Sequence, residues 1–159
     1  MKIFALYGKG NTGKSCTIRE IYEQIKSKSK VIKEEYYKNE VDVTAIISIK
    51  NLIIGITSYG DDAKCIKAPF ELFINGNCDV IICASRIRRT KTGSVAYLEN
   101  FAKNNKASLI WIKKEYFEID GDSNKAKETY KEIIEKINSI QVERVLNQIK
   151  INCNVNLLN

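Results

Sequence analysis

Histidine is absent from this 159-residue chain. Acid–base chemistry at neutral pH therefore falls to carboxylates, and the commonest nitrogen ligand for a metal is missing. The five cysteines, Cys16, Cys65, Cys78, Cys83 and Cys153, are odd in number and form no C-x-x-C pair, which argues against a zinc site and against a disulfide framework. Cys78 and Cys83 flank or lie in an apolar run and Cys16 falls in a helical stretch, so all three read as small buried residues of a reducing compartment. No apolar run approaches the roughly 18 residues that a membrane span needs. The first residues run directly into an apolar strand, and the expectation is a soluble, cytoplasmic protein with no membrane partner. Linkers, internal repeats and low-complexity stretches are missing as well, so residues 1–159 read as one domain with a substantial core. A formal net charge of +7 suits nucleic acid or polyphosphate, yet much of the lysine is spread over polar helix faces and charge alone decides little.

What the chain does contain is Gly8-Lys9-Gly10-Asn11-Thr12-Gly13-Lys14-Ser15, which fits G-x-x-x-x-G-K-[ST] without a mismatch. Before it, Ile3, Phe4, Ala5 and Leu6 make a short run suited to a buried strand; after it, Ile18, Ile21, Tyr22 and Ile25 repeat at helical spacing. Strand, glycine-rich loop and helix are the context in which backbone N–H groups converge on anionic oxygens. Lys14 then brings an ammonium to the outer phosphates, and the Ser15 hydroxyl is a ligand for Mg²⁺.

These residues match the Walker A motif, and the chain resembles the P-loop NTPase superfamily, in particular small phage and bacterial ATP-binding proteins. The likeness is strong over the first third only. It implies a three-layer α/β fold with a mostly parallel central sheet, helices on both faces and one antiparallel hairpin. It also implies ATP and Mg²⁺ as cofactors, with Gly8, Lys9, Gly10, Asn11, Thr12, Gly13, Lys14, Ser15 and Cys16 as the nucleotide-binding set, Lys14 catalytic and Ser15 a metal ligand.

Further along, the first helix is expected to start near Lys14 and fade by Ser27. Residues 31–42 show no clean period and read as a connector or short edge strand; their Tyr36-Tyr37 pair suits packing over the sheet margin better than contact with a base. Residues 43–49 and 52–57 are β-branched runs around a Lys50-Asn51 turn, an antiparallel hairpin. The second run leads to Gly60-Asp61-Asp62 at a strand's C-terminal end, where ligands bind in open α/β sheets. By the resemblance this is a Walker B-like acid, with Asp61 assigned to Mg²⁺ or the nucleophile and Asp62 in reserve. The alternative is an Asp-rich turn capping the next segment. Its strand is expected beside the first strand, with the strand starting at Val80 on the other side.

Pro69 suits the first turn of a short helix that buries Phe70, Phe73 and Ile74 and ends near Gly76. Residues 79–84 form a central strand with Asp79 at the end away from the loop. Directly after it come Arg86, Arg88, Arg89 and Lys91, including three of the chain's five arginines. In a protein whose ordinary charge is lysine, that shift favours bidentate phosphate recognition, and Arg86 is the catalytic candidate. Ser94 reads as the cap of a helix carrying Val95, Leu98, Phe101 and Ala102, and residues 109–112 as the last strand. The GTP-reading N-K-x-D signature is absent, which favours ATP. An amphipathic helix through Tyr130, Ile133, Ile134 and Ile137 follows, and the tail 150–159 reads as an added edge strand or a disordered end.

Three functions remain open: an ATPase, a small-molecule or nucleotide kinase with an arginine-rich lid, and a regulatory NTPase whose basic loop 86–91 contacts a nucleic-acid backbone. The phosphoryl acceptor stays open with them.

Overall fold

A computed structural model of the chain describes residues 1–37, 42–87, 90, 92–116 and 124–158, with backbone alone for 124–130. Ten elements follow in order: β1 (Lys2–Gly8), α1 (Lys14–Lys26), β2 (Lys30–Tyr37), β3 (Asp42–Ile49), β4 (Leu52–Thr57), α2 (Ala63–Asn75), β5 (Val80–Arg86), α3 (Ser94–Asn104), β6 (Ser108–Lys113) and α4 (Asn124–Cys153). The strands form one six-stranded sheet in the order β2-β3-β4-β5-β1-β6. Pairings from β4 through β5 and β1 to β6 are parallel, whereas β2–β3 and β3–β4 are antiparallel. The fold is thus mixed α/β with a mostly parallel sheet. Its antiparallel part is a three-stranded meander, larger than the single hairpin expected.

Period-two alternation along β1 divides the core. Phe4 and Leu6 join Ile18, Ile21, Tyr22 and Ile25 of α1 and Val142, Val145 and Ile149 of α4 on one face. Ile3 and Ala5 join Ile66, Phe70 and Phe73 of α2 and Leu98 and Ala102 of α3 on the other. A rigid side chain locks α2 down: a Cβ on Gly55 would lie 2.6 Å from the Phe73 ring, so only glycine in β4 leaves room for it.

One expectation about topology is corrected. β4 does not flank β1; β5 lies between them, and β6 takes the other side of β1. The direct crossover through α2 lays β5 against β4, so β5 fills the slot that chain order had suggested for β4. The chain leaves β1 through α1 over one face, while the β5–α3–β6 connection crosses β1 over the other. That divergence opens a crevice beyond the C-terminal end of β1.

Several helix boundaries also differ. α2 begins at Ala63, six residues before Pro69, because the Asp62 carboxylate accepts from Cys65 N at 2.9 Å and caps the helix there. Pro69 therefore sits inside the helix, and Ile74 is 40% exposed and not part of the buried face. Gly93, not Ser94, occupies the cap position of α3. α4 runs unbroken to Cys153, and the residues after it tuck Leu157 into the core, so the tail is not an edge strand. β2 is an edge strand held to α1 by Glu34, whose carboxylate accepts from Tyr22 Oη at 2.6 Å and pairs with Lys26. Tyr36 donates to the same carboxylate, and Tyr37 stacks on Tyr59 at 6.1 Å. Among the described residues, no helix is long and apolar enough to cross a membrane.

Candidate functional site

The register of the central sheet sets the site. Gly8, the last residue of β1, pairs with Arg86, the last of β5, and Ile87 N donates to Gly8 O at 3.3 Å. The loop 8–15 then turns through left-handed backbone at Asn11 (φ 59°) and Gly13 (φ 79°) and enters α1 at Lys14. Asparagine and glycine are the residues that adopt this conformation at least cost. At Gly13 the positive φ is the constraint, since a Cβ there would meet Asn138 Oδ1 only at an ordinary contact distance of 3.5 Å.

Lys14 is 8% exposed, and its side chain folds back along the loop. The ammonium donates to Gly8 O at 3.2 Å and to Lys9 O, and Thr12 Oγ1 lies 3.5 Å away. Burial lowers its pKa, Asp61 acts in the opposite sense and Arg86 adds to the lowering. Thr12 Oγ1 itself donates to Lys9 O at 3.0 Å, which ties the loop across its middle.

Asp61 arrives although its strand is one place removed. A Cβ on Gly60 would sit 2.0 Å from Ala84 O, so the segment after β4 runs tightly across the end of β5. The next residue then meets Arg86 in a two-point pair, Nε to Oδ1 at 2.9 Å and Nη2 to Oδ2 at 2.8 Å. The guanidinium also lies beside Gly10, whose built Cβ would be 3.8 Å from its central carbon. Asp61, Arg86, Lys14 and the first half of the loop therefore form one group, and Arg86 with the loop borders a cleft of about 290 Å³ lined, among the described residues, by Gly8, Lys9, Gly10, Arg86 and Ile87. Asp62 stands apart as the cap of α2. The backbone hydrogen bond from Cys65 holds its carboxyl below the usual range.

Ser15 Oγ donates to Ser58 O at 3.2 Å, and Ser58 Oγ donates to Asp42 Oδ1 at 3.0 Å while accepting from Val43 N at 2.9 Å. Asp42 is only 5% exposed, at the start of β3. From the sequence it reads as the end of a connector. Its signal is an acid immediately before an apolar β-branched run, at the strand end that antiparallel pairing carries toward the glycine-rich loop.

Lys114 was missed too. It follows β6, where Lys114 N donates to Tyr7 O at 2.8 Å, and its stem passes 3.4 Å from the Cβ position of Gly8. Its ammonium donates to Asn138 Oδ1 at 2.6 Å, and Thr17 Oγ1 approaches the same oxygen at 3.3 Å. Burial pushes the Lys114 pKa down to about 8; Cys16 and Glu20 oppose this and Lys14 adds to it. A second lysine at the end of a strand was the available hint, but α4's contribution through Asn138 has no local signature.

Cys16 is exposed, contrary to its reading as a small buried residue, because it faces outward in the first turn of α1. Ser94 Oγ lies 2.9 Å from Ser85 Oγ and accepts from Arg86 N at 3.0 Å, bracing the end of β5. Arg88, Arg89 and Lys91 lie outside the described residues. No protein-family model matches the chain, and searches of curated proteins and of solved structures give no match either.

Proposed function

We propose that the chain is an ATP-binding P-loop NTPase that uses Mg²⁺ in ATP hydrolysis or phosphoryl transfer. The observation that carries this reading is the Lys14 ammonium resting on the carbonyls of its own glycine-rich loop, within electrostatic reach of Asp61 and Arg86. Phosphate oxygens offer that ammonium stronger, charge-assisted bonds than neutral carbonyls do. The N-terminus of α1 adds its dipole and free N–H groups.

The donor atoms at hand suit Mg²⁺. Ser15 offers a hydroxyl at the start of α1, with Asp61 nearby and Asp42 linked through Ser58. Among the described residues no three Asp, Glu or Cys side chains gather as a metal cage. Mg²⁺ ordinarily takes one or two protein oxygens and completes its shell with water and substrate phosphate. When bound, it supplies neutralisation of charge on the phosphate oxygens.

Arg86 and Asp61 form a partly exposed pair, with side-chain exposures of 33% and 49%. A terminal phosphate beside Gly10 competes with Asp61 for the guanidinium. The transfer leaves Arg86 on the phosphate and frees the Asp61 carboxylate to orient the attacking hydroxyl or water. The missing N-K-x-D signature favours ATP over GTP. Release of labelled phosphate from γ-labelled ATP tests the assignment: Asp61→Asn keeps most of the ATP affinity and loses turnover, because the loop still grips the nucleotide. Wild-type turnover in that variant would move the role to Asp42 or elsewhere.

A further inference from the structure

A second cavity, of about 390 Å³, opens beside the loop cleft and is lined by Tyr7, Ile87, Val95, Glu99 and Trp111. Ile87 lines both spaces, so the two are neighbours. Their walls differ in chemistry. Among the described residues, the loop cleft is bounded by glycine backbone, Lys9, Arg86 and Ile87, whereas the second cavity is lined by two aromatic rings, two aliphatic side chains and one carboxylate.

Each wall has a structural cause. Tyr7 is the last side chain of β1 before Gly8, and Trp111 of β6, in register with Ala5, meets it edge-on at 5.6 Å and 83°. Val95 and Glu99 lie one turn apart on α3 and so share a side of the helix. The cavity is thus on the α3 side of the sheet, away from α1. Among the described residues Glu99 has neither an ion pair nor a hydrogen bond.

From this juxtaposition we infer that the cavity binds a planar heteroaromatic ring carrying an N–H donor, of the nucleobase or nucleoside class. Its volume falls in the range of about 300–1,000 Å³ usual for small-molecule sites. Aromatic rings favour a flat partner in stacked or edge contact. A carboxylate at the edge of the cavity favours a ligand that brings a hydrogen-bond donor. The same ring chemistry has two sources: a separate nucleoside placed beside the loop, or the base of the nucleotide whose phosphates the loop holds. The inference rests on the proposed function only for what occupies the neighbouring cleft.

Trp111 is the only tryptophan in the chain, so tryptophan fluorescence is read from a wall of this cavity. Adenosine is expected to quench it saturably. Purine riboside, which keeps the ring and lacks the exocyclic amino group, is expected to bind at least about tenfold more weakly, as sites built around a ligand's hydrogen-bond donor reject analogues without it. Glu99→Ala, at an exposed position, should erase the difference between the two compounds. Val95→Phe, checked for folding by thermal unfolding, should fill the cavity and remove the quench. Calorimetry with tripolyphosphate, which has no ring, reads the loop separately. Quenching by adenosine that persists in Lys14→Ala identifies a separate nucleoside; quenching only by ATP, lost in Lys14→Ala, identifies the base of the loop-bound nucleotide. Both support the inference. It is overturned if adenosine and ATP both fail to quench Trp111 in protein that calorimetry shows to bind ATP, or if adenosine and purine riboside quench with equal affinity. Adenosine quenching without any tripolyphosphate heat would instead sink the loop assignment and leave the cavity standing.

Discussion

On the β5 flank of the glycine-rich loop, Arg86 and Asp61 pair while 33% and 49% exposed. On the β6 flank, Lys114 is 3% exposed and gives its ammonium to Asn138 of α4, which Thr17 of α1 also approaches. Both flanks put a cation beside the loop, but the physics differs. A solvent-screened ion pair contributes only about 0–1 kcal/mol and exchanges partners readily. A buried ammonium must keep its acceptor, since leaving it without one costs the desolvation of a charge. The exposed flank is therefore suited to chemistry, and the buried flank to holding the loop's shape.

That contrast fails or sharpens under substitution. The largest expected effect is on rate: Arg86→Ala should reduce turnover at saturating ATP by on the order of a thousandfold, the scale seen when a phosphoryl-transfer site loses its arginine, with unfolding midpoints nearly unchanged. A large stability loss with intact turnover would make Arg86 structural. Gly60→Ala comes next. A Cβ 2.0 Å from Ala84 O cannot be accommodated without moving the segment that delivers Asp61. A stability loss of about 1–3 kcal/mol is expected from overpacking of this kind, together with a turnover defect that Asp61→Asn does not worsen. Additive defects in the double variant would separate Gly60 from Asp61.

On the buried flank, Asn138→Ala removes the acceptor of Lys114 and should cost about 1–3 kcal/mol in urea unfolding, more than Asp61→Ala, which should cost under about 1 kcal/mol. The reverse ranking would invert the comparison. A last signal is in pH. Burial has lowered the Lys114 pKa from 10.5 to about 8, so below pH 8 folded and unfolded chains both carry the proton and the full burial penalty applies. Between about 8 and 10.5 the unfolded chain binds more protons, and stability contributed by this group rises with pH. The wild type minus Lys114→Met difference in unfolding free energy should be flat below pH 8 and climb above it. A difference that stays flat across that window would show Lys114 to be solvated.

The readability of this chain tracks how local each cause is. The loop 8–15, its strand and its helix follow from neighbouring residues, and β1 and α1 stand where glycine spacing and helical periodicity put them. The hairpin at Lys50-Asn51 was legible for the same reason, with Lys50 at φ 53° in the turn. Strand order was not, because which parallel neighbour β1 takes depends on where the crossover through α2 lands. Asp61 and Arg86 were candidates from sequence, but their pairing depends on Gly60 lying against Ala84. Asp62 was offered as an alternative site residue and also as a turn cap, and its carboxylate caps α2. Asp42 and Lys114 went unnoticed because their partners, Ser58 and Asn138, lie 16 and 24 residues away.

On the proposed function, the loop binds nucleoside triphosphate through Lys14. Isothermal calorimetry of Mg·ATP on wild type and Lys14→Ala, with circular dichroism confirming that both are folded, tests it most directly. Saturable binding by wild type, weakened at least about a hundredfold in the variant as one buried charge-assisted contact is lost, is the predicted result. Equal affinity in the two folded proteins, or no heat with wild type, would contradict it.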